Sequence, residues 1–318
     1  MKQLLLSTVL AAPAVFGMSA AHADWPTDRP IELIVAFAPG GGTDVMHRTL
    51  APYIEKELGA KITVMNKPGA SGEIAYTALA EAKPDGYTLS SLNTPGFLTM
   101  QMDRKVRFDP KKICLVARIV EDPSALIVQA NSQFNSLKDL VAYAKANPGA
   151  VTIGTTGVGT DEHLSLLQLE KSAGVDLTPV PFAGANEART ALLGGHITAT
   201  GINVGEFASM DKSAFKMLAQ YSDERSTLAP ELLTAKEQGF DVFMSSERGL
   251  AMGCDVPQDI RTKFSNAVAK ALDNPEFQAQ AKQQALPLSY RSPEEWNKEL
   301  PARAERMGAI WKLVKEQQ

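Results

Sequence analysis

The stretch Ile31-Glu32-Leu33-Ile34-Val35-Ala36-Phe37 runs without a break into Ala38-Pro39-Gly40-Gly41-Gly42-Thr43-Asp44. Its first part is a near-continuous apolar run of strand length, the pattern of a strand covered on both faces. The glycines then call for a turn. From Val45 to Leu58 apolar residues recur at helical spacing, and Gly59 closes the run. Strand, glycine loop and helix in that order form a βα unit.

Three further units share this plan. The second has a strand from Lys61 to Met65, the loop Asn66-Lys67-Pro68-Gly69-Ala70-Ser71-Gly72 and a helix to about Ala82. Pro84-Asp85-Gly86 then turns the chain into a strand from Tyr87 to Ser91 that ends at Asn93-Thr94. The third joins a strand from Val151 to Gly154, the loop Thr155-Thr156-Gly157-Val158-Gly159-Thr160 and a helix from Asp161 to Ser172. The fourth joins a strand from Leu177 to Phe182, the loop Ala183-Gly184-Ala185 and a helix from Asn186 to Leu193. Gly194-Gly195 then precedes a strand from Ile197 to Ile202. The alternation predicts an α/β fold with parallel pairing.

Two units lie before residue 95 and two after residue 150, so two lobes are expected. The boundaries predicted are residues 24–122 with 247–318 for one lobe and 123–246 for the other. The stretch between the groups and the segment from Phe240 to Ala251 are the expected crossings. Two later runs read as packing helices. One carries Ile260, Phe264, Val268 and Leu272, the other Trp296, Met307, Ile310, Trp311 and Val314.

In a parallel α/β sheet every strand-to-helix loop emerges at the carboxyl edge, where ligands bind. Each following helix aims its unpaired N–H groups and positive dipole end there. Glycine lets those amides approach a ligand closely. The predicted site is therefore an anion cradle of amides and small hydroxyls. Its leading residues are Gly41, Gly42, Thr43, Asp44, Ser71, Thr156, Thr160 and Ala185, with Pro39, Gly40, Ala70, Thr155, Gly159, Phe182 and Gly184 from the same loops. Asn93 and Asn203 join them at strand ends. Asp44 is expected to fix its loop rather than touch an anion. His163 is read either as a donor to the crevice or as a packing histidine. The plainer reading of any one loop is an ordinary βα turn with a Thr or Asp helix cap; four such loops in one chain favour a site.

Lys2, the apolar run from Leu4 to Ala20 and the triplet Ala21-His22-Ala23 read as a cleaved export signal over residues 1–23. Its removal leaves 295 residues with net charge −5, one below the −4 of the whole chain. A mildly acidic chain without a Lys/Arg run does not suit nucleic acid. The 44% hydrophobic and 21% charged composition argues against disorder. Cys114 and Cys254 are free to pair in an oxidising compartment. Spacing says nothing about proximity, so two buried free thiols are preferred.

Familiar catalytic patterns are missing. After Gly40 and Gly42 the third glycine of a dinucleotide loop is replaced by Val45. Ser209-Met210-Asp211-Lys212 and Ser213-Ala214-Phe215-Lys216 fit S-x-x-K without its partner motifs. His47, His163 and His196 lack metal-ligand spacing. No cofactor and no metal is expected.

The ordered motifs resemble the substrate-binding proteins of tripartite tricarboxylate transporters, the Bug or TctC family. Ala38 to Asp44 is similar to its opening loop, Asn66 to Gly72 to its second, and Pro84-Asp85-Gly86-Tyr87-Thr88-Leu89 to another hallmark. Gly159 with His163-Leu164, Val180 to Gly184, Leu192 to Gly195 and Glu237-Gln238-Gly239 follow in family order. The resemblance implies a Venus-flytrap fold with two crossings. It also implies a periplasmic monomer that captures a small organic carboxylate and delivers it to a permease of large and small subunits. The carboxylate would be a di- or tricarboxylate, an aromatic carboxylate or an acidic amino acid. The alternatives are a ligand-sensing partner of a membrane histidine kinase and, less favoured, a periplasmic hydrolase. The chain departs from the family at Lys112-Ile113-Cys114-Leu115-Val116 and at Ala251 to Pro257, and each departure carries a cysteine. It also places Ser246-Glu247-Arg248-Gly249 at the return crossing. There Arg248 is expected either to meet a second ligand carboxylate or to pair with Glu247 or another surface acid.

Overall fold

The computed structural model describes residues 25–317, with side chains through residue 312; the export signal expected over 1–23 lies outside the described residues. The first βα unit is β1 (Ile31–Val35) followed by α1 (Gly42–Leu58). Met46, Leu50 and Ile54, spaced by one turn, are buried on one face of α1. Gly59 ends the helix in the left-handed region at φ 68° and donates back to Glu55. β2 (Ile62–Asn66), a tight turn at Ala70–Gly72, α2 (Glu73–Ala80), β3 (Thr88–Thr94) and α3 (Gly96–Asp103) complete this region.

The long strand β4 (Ile113–Gln129) leads into α4 (Leu137–Ala146), β5 (Thr152–Thr155), α5 (Asp161–Ala173), β6 (Thr178–Pro181) and α6 (Ala185–Leu193). There follow β7 (Ala199–Asn203), α7 (Val204–Ser209) and β8 (Phe215–Gln220). β9 (Ser245–Gly253) returns to the first region, which ends in α8 (Gln258–Asp273), α9 (Pro275–Gln283), β10 (Leu288–Arg291) and α10 (Pro293–Gln317).

β1 pairs in parallel with β2 and β3, and β5 in parallel with β6 and β7. The rest is antiparallel. β9 lies between β3 and β4, and the far half of β4 pairs with β7 and β8. The parallel pairing expected of the βα strands holds, while β4 and β9 run against their neighbours as they carry the chain across. β4 pairs with β9 from Ile113 to Pro123 and with β7 from Ser124 to Ile127, so one strand serves both halves of the sheet. The chain thus forms two α/β lobes joined by the β4–β9 pair.

Each lobe has its own core. Leu33, Leu50, Leu250 and Phe264 belong to the first, and Leu126, Val151, Leu164 and Leu218 to the second. The preference for free thiols is overturned: Cys114 and Cys254 form a disulfide. Cys114 opposes Met252 in the β4–β9 ladder, and Cys254 stands just past the end of β9. Chain-distant residues are brought together by strand pairing, which spacing in the sequence does not record. Among the described residues, no helix is long and apolar enough to cross a membrane.

Candidate functional site

The loops after β1, β5 and β6 face one another across a narrow cleft between the lobes. The start of α1 supplies Gly41, Gly42 and Thr43, the start of α5 supplies Thr160, and α6 opens with Ala185. Asn93 at the end of β3, Thr156, Asn203 at the end of β7 and Arg248 on β9 complete the part of the lining foreseen from the sequence. The space within it is about 30 Å³, room for a few water molecules.

The lobes are tied across the cleft. Ala38 N–H donates to Ala183 O at 3.2 Å, Ser71 Oγ to Val158 O at 2.8 Å and Thr99 Oγ1 to Gly159 O at 2.6 Å. Arg189 Nη2 reaches Gly40 O at 3.2 Å.

Ten other predicted residues do not line this cleft. Ala70, Ser71 and Phe182 line a neighbouring pocket that shares Phe37 and Thr156 with it. Asp44 fixes its loop: its carboxylate accepts from Gly40 N–H at 3.0 Å, Arg48 Nε at 2.9 Å and Asn66 Nδ2 at 2.8 Å. The helix cap itself is Gly41, without a side-chain bond, so neither Thr43 nor Asp44 caps α1. His163 packs against Trp311, and its Nδ1 accepts from Gly159 N–H at 3.0 Å. Pro39, Gly40, Thr155, Gly159 and Gly184 shape the loops from outside the lining.

Arg248 does not pair with Glu247, nor with a surface acid. Successive strand residues point to opposite faces. Glu247 accordingly turns to Arg118, Thr94 Oγ1 and Trp296 Nε1, while Arg248 turns to the cleft. There Arg248 Nη2 contacts Asn203 Oδ1 and lies 2.7 Å from Glu206 Oε1, and Nη1 lies 3.5 Å from Asp122. Burial opposes its charge, but the carboxyls of Glu206, Asp122, Asp161 and Glu162 outweigh that and hold the guanidinium above its ordinary range.

Sequence reasoning missed Phe37, Thr94, Gly96, Asp161, Glu162, Glu206 and Ser246, all on the lining. Acids in the first turn of a helix read as ordinary dipole partners, so Asp161 and Glu162 drew no notice. Glu206 belongs to no recognisable motif. Yet its Oε1 accepts from Gly42 N–H at 3.0 Å, taking a position an incoming anion would use. Burial lifts the Asp122 carboxyl to about 7 against the pull of Arg248. Burial and repulsion from Asp161 lift Glu162 to about 8. His47, on the buried face of α1, is pushed down to about 3 by burial, against the attraction of Asp44.

Two α/β lobes, two strand crossings and a polar cleft lined by helix N-termini define a solute-binding protein. The profile of the TctC group, the tripartite tricarboxylate transporter family receptors, matches residues 46–315. The chain belongs to that family. It is 33% identical to protein BugT of Bordetella pertussis over 249 residues, 76% of each chain. Two solved structures from Rhodopseudomonas palustris resemble it at 25% identity. MatC with bound malate superposes with TM-score 0.82 over 89% of this chain and 99% of that one. Rpa4515 with adipate superposes with TM-score 0.84 over 92% and 99%.

Proposed function

We propose that this protein captures a small organic carboxylate in the periplasm and passes it to a membrane permease of large and small subunits. It acts as a monomer, without chemical turnover of its solute, after export on a cleaved signal over residues 1–23. Its lobes are 24–122 with 247–318, and 123–246. The observation that carries this reading is the meeting of the α1, α5 and α6 N-termini at one cleft. Amides held in place there suit a carboxylate because they need no reorganisation to receive it. Gly41, Thr43 and Ala185 are the proposed amide contacts, the Gly42 amide being held by Glu206. The malate and adipate complexes of the two relatives support the ligand class.

A thermal-shift panel of di- and tricarboxylates, aromatic carboxylates, amino acids and sugars tests the proposal. A solute at a hundred times its Kd adds about 2.7 kcal/mol. For a chain of this size that raises the melting temperature by about 5–10 °C. At least one carboxylate should produce such a rise. Stabilisation by sugars with none by any carboxylate would defeat the proposal.

A further inference from the structure

Within the carboxylate reading, on which it depends, the cleft discriminates further. We infer that the solute also carries a cationic nitrogen, and that Asn93 Oδ1, Asp161 and Glu162 receive it.

The strongest anion partners in the cleft are already engaged. Glu206 Oε1 takes the Gly42 amide at 3.0 Å and the Arg248 guanidinium at 2.7 Å, and Oε2 lies 3.5 Å from Arg189. A second ligand carboxylate aimed at Arg248 would meet the charge of Glu206. Two of the cleft hydroxyls are spent as well. Thr156 Oγ1 donates to Glu162 at 2.7 Å, and Thr160 Oγ1 to Gly157 O at 2.8 Å.

Apart from Arg248 Nε–H, which has no partner among the described residues, what remains beside them is mainly acid and acceptor. The carboxyls of Asp122, Asp161, Glu162 and Glu206 gather around Arg248 and Arg189, so carboxyls outnumber guanidiniums. Asn93 is an independent sign. It is 7% exposed, its Nδ2 donates to Thr43 Oγ1 at 2.7 Å, and its Oδ1 has no partner. That bond leaves the acceptor end of the amide for the cleft wall. A buried acceptor without a donor is costly, and an N–H from the solute relieves it. Among the described residues the carboxyls are not grouped as metal ligands. An ammonium or guanidinium group supplies both the missing donors and the compensating charge. The solute's own carboxylate keeps the first-turn amides of Thr43 and Ala185, which have no protein acceptor among the described residues.

The test is calorimetric titration of matched pairs that differ by an amine: succinate against L-aspartate, glutarate against L-glutamate, butyrate against γ-aminobutyrate. In at least one pair the aminated member should bind about tenfold tighter or more. Glu162→Gln keeps an acceptor for Thr156 but cannot ionise beside a bound cation, so it should shrink that preference by about fivefold or more. An undiminished preference in Glu162→Gln overturns the assignment of Glu162. Should the amine-free member bind as tightly or tighter in every pair where binding occurs, the inference is overturned while carboxylate capture stands. Absence of binding by any member defeats both. The comparison within each pair uses the unaltered protein, so it does not depend on the variant folding.

Discussion

Gly42 sits where the two lobes meet. Its backbone carries no unusual strain; what the position needs is room. A Cβ there would overlap Glu206 Oε1 and the Arg248 guanidinium, two groups that hold each other in the cleft. Gly42→Val should therefore weaken the binding of whichever carboxylate the thermal-shift panel identifies by at least about tenfold, equivalent to 1.4 kcal/mol. The displaced side chains cost about 1–3 kcal/mol of stability. Calorimetry and urea denaturation separate the two effects. Unchanged affinity would remove the β1–α1 loop from the site. Asp44, two residues on, shows the other use of a loop residue, since its carboxylate is wholly engaged by Gly40, Arg48 and Asn66.

The paired strands β4 and β9 form the connection between the lobes, and two features brace it. The Cys114–Cys254 disulfide joins residues 140 apart at its outer end, with Cα atoms 4.9 Å apart. A link across so long a segment restricts the unfolded chain. The double variant Cys114→Ser/Cys254→Ser should lose about 2–4 kcal/mol, read by urea denaturation against the oxidised protein. A loss below about 1 kcal/mol would mean that the ladder alone carries the join. Helix α10 is the second brace. Trp296 near its start is buried in a first-lobe core, and Trp311 near its end is buried in the second. Its amphipathic pattern was readable in the sequence, but that it serves both lobes was not.

The charge balance of the cleft affects the whole molecule. Asp122 titrates near 7 and Glu162 near 8 in the folded chain, each displaced upward first by burial. Unfolded, both release their protons near pH 4. Between pH 4 and 8 the folded state thus holds more protons than the unfolded state, so stability falls as pH rises. His47 has the opposite sign: folded it titrates near 3, so its contribution is lost as pH falls below about 6.5. Above that pH only the acids act. From pH 6.5 to 8 stability should decline by up to about 1.4 kcal/mol per pH unit for each carboxyl. Thermal melting across that range checks it, and Glu162→Gln should flatten the upper part. Asp122 faces Arg248 on β9, Glu206 on α7 and Asp161 on α5, so among the described residues the Arg248 guanidinium is the cation that offsets it.

The sequence by itself determined the elements that depend on near neighbours: the strands after each apolar run, the glycine loops, the helices behind them and the motif order that marks the family. Periodicity and turn chemistry act over a few residues, so they leave a local trace. Nine of the foreseen residues, among them Gly42, Thr43, Ala185 and Arg248, do meet at the cleft. Only the tertiary structure decided which way each side chain on β9 faces, that β4 and β9 run antiparallel to their neighbours, and that Cys114 finds Cys254. It alone brought Glu206 to the amide of Gly42, 164 residues away. Such contacts follow from strand register and lobe packing, which depend on the whole chain at once, and no short stretch of sequence encodes them.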